Sequence, residues 1–141
     1  MAVLFTNNAA TNLASSITSG STSLTVTTGT GSLFPNPTPA DYFLITLIGI
    51  SGSPLEIVKC TARSGDTMTI VRAQEGTTAS AFTGGDKVEL RLVAAELNNF
   101  PKLDEANTFT GANAYGTPAS LTLTNATGLP NAGLVNNSVT V

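Results

Sequence analysis

Two runs, EIVKCTAR over residues 56–63 and TMTIVR over residues 67–72, flank Ser64-Gly65-Asp66, and this pairing constrains the fold most. β-Branched residues on both sides of a turn composition read as an antiparallel hairpin. Loop length decides which faces meet, because a slip of one residue sends every side chain to the opposite face. A three-residue loop sets Ala62 opposite Met68 and Cys60 opposite Ile70. Val58, Cys60, Ala62, Met68 and Ile70 then share one face, and Lys59, Thr61, Arg63, Thr67 and Thr69 share the other. A two-residue Gly65-Asp66 loop would face Ala62 with Thr69 and mix core with solvent. The expected hairpin therefore has three loop residues, with Gly65 in the left-handed conformation.

The same alternation recurs over residues 86–92. Val88, Leu90 and Leu92 point one way, and Lys87, Glu89 and Arg91 the other, as in a half-buried antiparallel strand. YFLITLI over residues 42–48 is apolar on both faces, so it is a central strand or lines an interface. STSLTVTT over residues 21–28 is the first convincing strand, with Leu24 and Val26 inward. Gly29, Gly31, Pro35, Pro37 and Pro39 punctuate the loop after it. Residues 93–100 read as a short helix that Pro101 ends. Its Val93, Leu97 and Phe100 form one stripe, expected to lie against the sheet.

The two ends differ from this middle. No charged residue precedes Asp41, and none follows Glu105. Leu4, Phe5, Leu13 and Ile17 stand apart among Thr, Asn, Ala and Ser. That is either a poorly ordered terminus or an extended arm that docks on a neighbouring subunit. Residues 107–141 hold too few large apolar side chains for a core of their own, although SLTLT over residues 120–124 alternates like a strand. They are either a linker or a segment that orders by winding with identical copies. The expected fold is mainly β: a small antiparallel β-barrel or β-sandwich with one short C-terminal helix, an extended N-terminal arm and a β/irregular stalk. The expected boundaries are residues 1–20 for the arm, 21–100 for the β domain with its helix at 93–100, and 101–141 for the stalk.

Composition narrows the function. Charged residues make up 11 % of the 141 residues, against roughly a quarter in typical soluble domains. Such neutral Thr- and Asn-rich surfaces suit β structure that other chains cover. A net charge of −3 with no basic cluster argues against nucleic-acid binding. No apolar run approaches the ~18 residues of a membrane span, and the N-terminus lacks the features of a secretory signal. Cys60 is the single cysteine, which fits folding in a reducing compartment.

Catalysis finds little support. There is no His, the commonest general base and metal ligand. The carboxylates Asp41, Glu56, Asp66, Glu75, Asp86, Glu89, Glu96, Asp104 and Glu105 sit mostly in turns or alternate with Lys and Arg. Turn Asp has its own backbone-bonding reason to be there. Cys60 falls on the core face, where packing explains it better than nucleophilicity. The glycines lack phosphate-binding spacing, and the sequons at Asn125 and Asn136 fit chance in an Asn- and Thr-rich tail. Arg63, Arg72 and Arg91 could pair with Glu56, Glu75 and Glu89 at the surface, where each pair contributes about 0–1 kcal/mol. No catalytic residue, cofactor or metal is expected.

Several segments resemble the N-terminal anchoring domain of bacteriophage tail fibre and tail appendage proteins. They are Asn7-Asn8-Ala9-Ala10 with Leu13 and Ile17, then Gly31-Ser32-Leu33-Phe34-Pro35 and Asp41-Tyr42-Phe43. Glu56-Ile57-Val58-Lys59, the ARSGDT run of residues 62–67, the VRAQEGT run of residues 71–77 and Gly85-Asp86-Lys87-Val88-Glu89 continue it. LDEANTFTG and ATGLP, at residues 103–111 and 126–130, are similar to linkers that follow such domains. The resemblance implies a virion structural protein of the tail, made in the bacterial cytoplasm, that attaches a fibre for host adsorption. Its implied partners are other phage tail proteins and identical subunits in a homotrimer. No receptor-binding or glycan-cleaving domain occurs within these residues, so a continuing fibre and a short adaptor or decoration protein both stay open. Leu4, Phe5, Leu13 and Ile17 are the expected assembly interface. The alternatives are a capsid or collar decoration protein and a host-glycan-binding β module.

Overall fold

The computed structural model describes residues 2–98 and Phe100. They form a mainly β fold: six antiparallel strands in one curled, half-barrel sheet, with one short helix. The strands are β1 (Ala10–Asn12), β2 (Ser23–Thr25), β3 (Phe43–Ile48), β4 (Leu55–Ser64), β5 (Thr67–Gln74) and β6 (Lys87–Glu89). The helix is α1 (Ala94–Asn98). Across the sheet the order is β1-β6-β3-β4-β5-β2. The expected stalk, residues 101–141, lies outside the described residues, as do both sequons. No helix among the described residues is long and apolar enough to cross a membrane.

β3 is central, as its two apolar faces require. All six of its residues are buried. Phe43, Ile45 and Leu47 enter the core inside the curl, where Phe43 stacks on Phe34 at 6.1 Å between ring centroids. Leu44, Thr46 and Ile48 are buried on the other side. Leu24 and Val26 point inward as expected. Just past β1 and β2, Leu13 and Val26 form a bridge that brings the two outer strands together. The Ala14 N–H donates to the Thr25 carbonyl at 2.8 Å and the Thr27 N–H to the Asn12 carbonyl at 2.9 Å. The curl places the sheet on the barrel side of the two expected architectures.

The central hairpin differs from expectation in its loop. Ser64 pairs with Thr67, so only Gly65 and Asp66 form the turn. Gly65 has φ of +57°, and Asp66 has no positive φ, as in the hairpin turn that needs glycine first. Arg63 then faces Met68 and Ala62 faces Thr69, and Ala62 is exposed. The core is not lost, because the register shifts between Cys60 and Ala62. Thr61 is the extra residue of a β-bulge, and below it Cys60 meets Ile70 as the apolar pattern demands. A second shift, between Ile57 and Lys59, places the extra residue in β5 near Ala73, which has φ of +54°.

Both ends of the domain depart from expectation. The N-terminal segment is part of its own sheet: β1 pairs with β6, Ile17 bridges Phe82, and Val3 bridges Tyr42. At the other end α1 is shorter than expected. Val93 is buried, but Leu97 is 53 % and Phe100 65 % exposed, so the stripe does not lie on the sheet. Leu92, expected to share the face of buried Val88, is also exposed. The strand ends at Glu89, and strict alternation ends with it.

Candidate functional site

Alternation along β4 carries Glu56 onto the same face as Val58 and Cys60, and alternation along β5 carries Arg72 onto the face of Met68 and Ile70. Two opposite charges are thus drawn to the inside of the curl. Glu56 is fully buried, and the Arg72 side chain is 9 % exposed. Arg72 Nε donates to Glu56 Oε1 at 2.9 Å and Nη2 to Oε2 at 2.6 Å, a two-pronged pair. The Ala73 and Ser80 N–H groups donate to the same carboxylate, and the guanidinium donates to the carbonyls of Thr18 and Ser80. Burial pushes the Glu56 pKa up, but the Arg72 guanidinium and the two N–H donors outweigh it and hold the carboxyl below its ordinary value. This pair is internal, where the sequence suggested surface ion pairs. Its sign in the sequence is two opposite charges, each two residues from an apolar residue of the core face.

Three aspartates act as loop brackets. Asp66 accepts the N–H groups of Gly29 and Gly31, both at 2.9 Å, and these donors hold its carboxyl below the ordinary range. A Cβ on Gly31 would overlap the Gly65 carbonyl and the Asp66 backbone, so glycine is required for this close approach. Arg63 fastens the same corner by donating to the Pro35 carbonyl at 3.0 Å. Asp86 accepts from the Ile50 and Thr83 N–H groups. Asp41 accepts from the Thr38 hydroxyl and the Ala2 N–H, which lower its pKa in that order. Glu89 pairs with Arg91 at 2.6 Å on the surface. Asp104 and Glu105 lie outside the described residues. Cys60 is buried, and desolvation pushes its thiol up to about 12, which suppresses the thiolate that a nucleophile needs. No group of metal-binding side chains occurs among the described residues.

The four expected interface residues divide. Leu13 is 2 % and Ile17 8 % exposed, and both belong to the chain's own core. Leu4 is half-buried against that core. Phe5 alone is open, at 48 %. It does not stand by itself. Phe5, Leu92, Glu96 and Phe100 line a hollow of about 180 Å³. Leu92 also borders a shallow cleft of about 340 Å³ that runs past Leu55, Ile57, Glu75, Arg91 and Val93. Tyr42 belongs to this neighbourhood, since burial and then the charges of Glu96 and Glu75 raise its pKa. The candidate site is therefore a continuous, largely apolar surface around α1. Sequence reasoning placed its helix residues inward, because spacing shows which residues share a face but not whether anything covers it.

A scan against protein-family models and a search of the curated proteins both find nothing that matches this chain.

Proposed function

We propose that this chain is a virion structural protein, the anchoring part of a phage tail fibre, which joins identical subunits and other tail proteins. One observation carries the reading. The segments that resemble the anchoring domains of tail fibres meet one another in space, in two fastenings. Gly31 to Pro35 is tied to the ARSGDT run through Asp66 and Arg63. Glu56 is tied to the RAQEGT run through Arg72 and the Ala73 N–H. The resembling residues are thus those that build the scaffold, and a scaffold is what an anchoring domain contributes. Four of the carboxylates that would otherwise suggest catalysis, Asp41, Glu56, Asp66 and Asp86, bind backbone N–H groups or a buried arginine. What the domain leaves free is apolar surface, the chemistry of assembly.

The manner of attachment differs from simple addition of a strand. The outer strands are short and meet at the Leu13–Val26 bridge, which leaves little open edge. Packing of the surface around α1 is the better means. Deleting residues 1–20 is a poor test, since it removes β1, Leu13 and Ile17 from the core. A better one is to tag the chain at an exposed loop, such as Gly52, and locate the tag on purified particles by electron microscopy. Label at the tail–fibre junction is the expected result. Label on the head or collar would favour a decoration protein, and saturable binding on a glycan array would favour a host-sugar module.

A further inference from the structure

We infer that residues 15–19 and 78–82 form one strap, caught by the Glu56–Arg72 pair, that opens and closes as a unit while the sheet stays paired.

The two segments are far apart in the chain and side by side in space. The Ile17 N–H donates to the Phe82 carbonyl at 2.9 Å, and the Phe82 N–H donates to the Ile17 carbonyl at 3.0 Å. The Gly84 N–H donates to the Ser16 hydroxyl at 3.1 Å. Each segment runs between fixed points. Before and after the first, the Ala14 N–H donates to the Thr25 carbonyl and the Thr22 carbonyl accepts the Ile70 N–H. Before and after the second, the Thr77 hydroxyl accepts the Ile57 N–H at 3.0 Å and the Thr83 N–H donates to Asp86 at 2.7 Å.

Between those points the attachment to the sheet is narrow. Among the described residues, the hydrogen bonds that run from either segment to the sheet all end on one ion pair. Arg72 donates to the Thr18 and Ser80 carbonyls, and the Ser80 N–H donates to Glu56. Each segment buries one side chain, Ile17 in the first and Phe82 in the second, and the rest are exposed or half-buried. Stretches with so little buried apolar contact belong to the part of a fold that opens first. Arg72 holds a carbonyl of each segment, and the Ile17–Phe82 bonds join the two. Neither segment can therefore leave without breaking what holds the other. The β3–β4 and β4–β5 ladders do not run through either segment, so they remain when the strap lifts. The open form exposes Ile17, Phe82 and the ion pair to water.

Amide hydrogen exchange of the full chain, followed by NMR at neutral pH with small additions of urea, tests this. The Ile17, Ser80 and Phe82 amides should share one opening equilibrium and one urea slope, and should open about tenfold or more above the Val58 amide of β4. Arg72→Lys keeps a positive charge beside Glu56 but lacks the fork that reaches Glu56, Thr18 and Ser80 together. It should raise opening at Ile17 and Phe82 by one common factor, about fivefold or more. Ile48→Val, on the outer face of β3, should speed the Val58 amide severalfold and leave Ile17 and Phe82 unchanged, because its packing survives when the strap lifts. Unequal openings or slopes in the parent chain, or exchange of the strap amides only together with Val58, overturns the inference. So does a response to Arg72→Lys that is absent or confined to one segment, or a response of the strap to Ile48→Val. The parent-chain rates decide the matter even where a variant fails to fold.

Discussion

The two ends of the domain make opposite use of similar residues. Near the N-terminus, Leu13 and Ile17 are sparse apolar residues in a neutral segment, yet both are buried in the core of their own chain. Near the C-terminal end, Val93, Leu97 and Phe100 have helical spacing in the sequence, yet only Val93 is covered. Backbone pairing accounts for the difference. The N-terminal segment is held by β6, by the Ile17–Phe82 bridge and by Arg72, which donates to the Thr18 carbonyl. The helix makes its hydrogen bonds internally, so nothing in its backbone draws it onto the sheet. An extended segment can be captured by its main chain, whereas a helix depends on its side chains alone.

The sharpest way to break this comparison is to remove the N-terminal fastening. Arg72→Ala leaves Glu56 charged and unpaired inside the curl, and should cost about 3–5 kcal/mol in urea unfolding. Glu56→Leu added to Arg72→Met should recover much of that loss, because a well-packed apolar pair carries no unpaired charge. Leu13→Ala should cost about 2–5 kcal/mol, as expected of a buried leucine rather than one reserved for a partner. A negligible loss would return Leu13 to the docking surface.

Acid should loosen the same fastening. Glu56 has a folded pKa below its ordinary value of 4.5, so its contribution is complete above that value and is lost as pH falls through the folded one. Asp41 and Asp66 are shifted the same way and add in the same direction. The urea midpoint should therefore be nearly level from neutral pH to about pH 5 and fall below it. Glu56→Gln should start from a lower midpoint and show a shallower acid decline. The smallest effect belongs to the other end. Leu97→Ser should change the stability of an isolated subunit by no more than about 0.5 kcal/mol, since the side chain loses little burial. A larger loss would mean that α1 is seated on its own sheet after all.

Much of the sheet was legible in the chain. The two-sided apolar run at residues 42–48 pointed to a central strand or one that lines an interface, and the sheet order with all six β3 residues buried decides for the central one. Leu24 and Val26, Val58 and Cys60, Met68 and Ile70 were placed correctly by alternation alone. The hairpin loop was not, because a bulge at Thr61 breaks the alternation on which register arguments depend. The rule against mixing core and solvent was sound, but the chain obeyed it with an extra residue instead of a longer loop. The buried pair escaped notice for a related reason. Charge is read as a sign of solvent, and Glu56 and Arg72 are inside only because each neutralises the other.

Sequence alone determined the class of the fold, the strand apolar on both faces and the alternation of its regular segments, because period-two patterning is a local property of the chain. Tertiary structure decided the bulges, the burial of Glu56 with Arg72 and the opposite fates of the two ends. Each of these depends on what a distant residue offers, a hydrogen-bond partner or a covering side chain, and no local pattern records that.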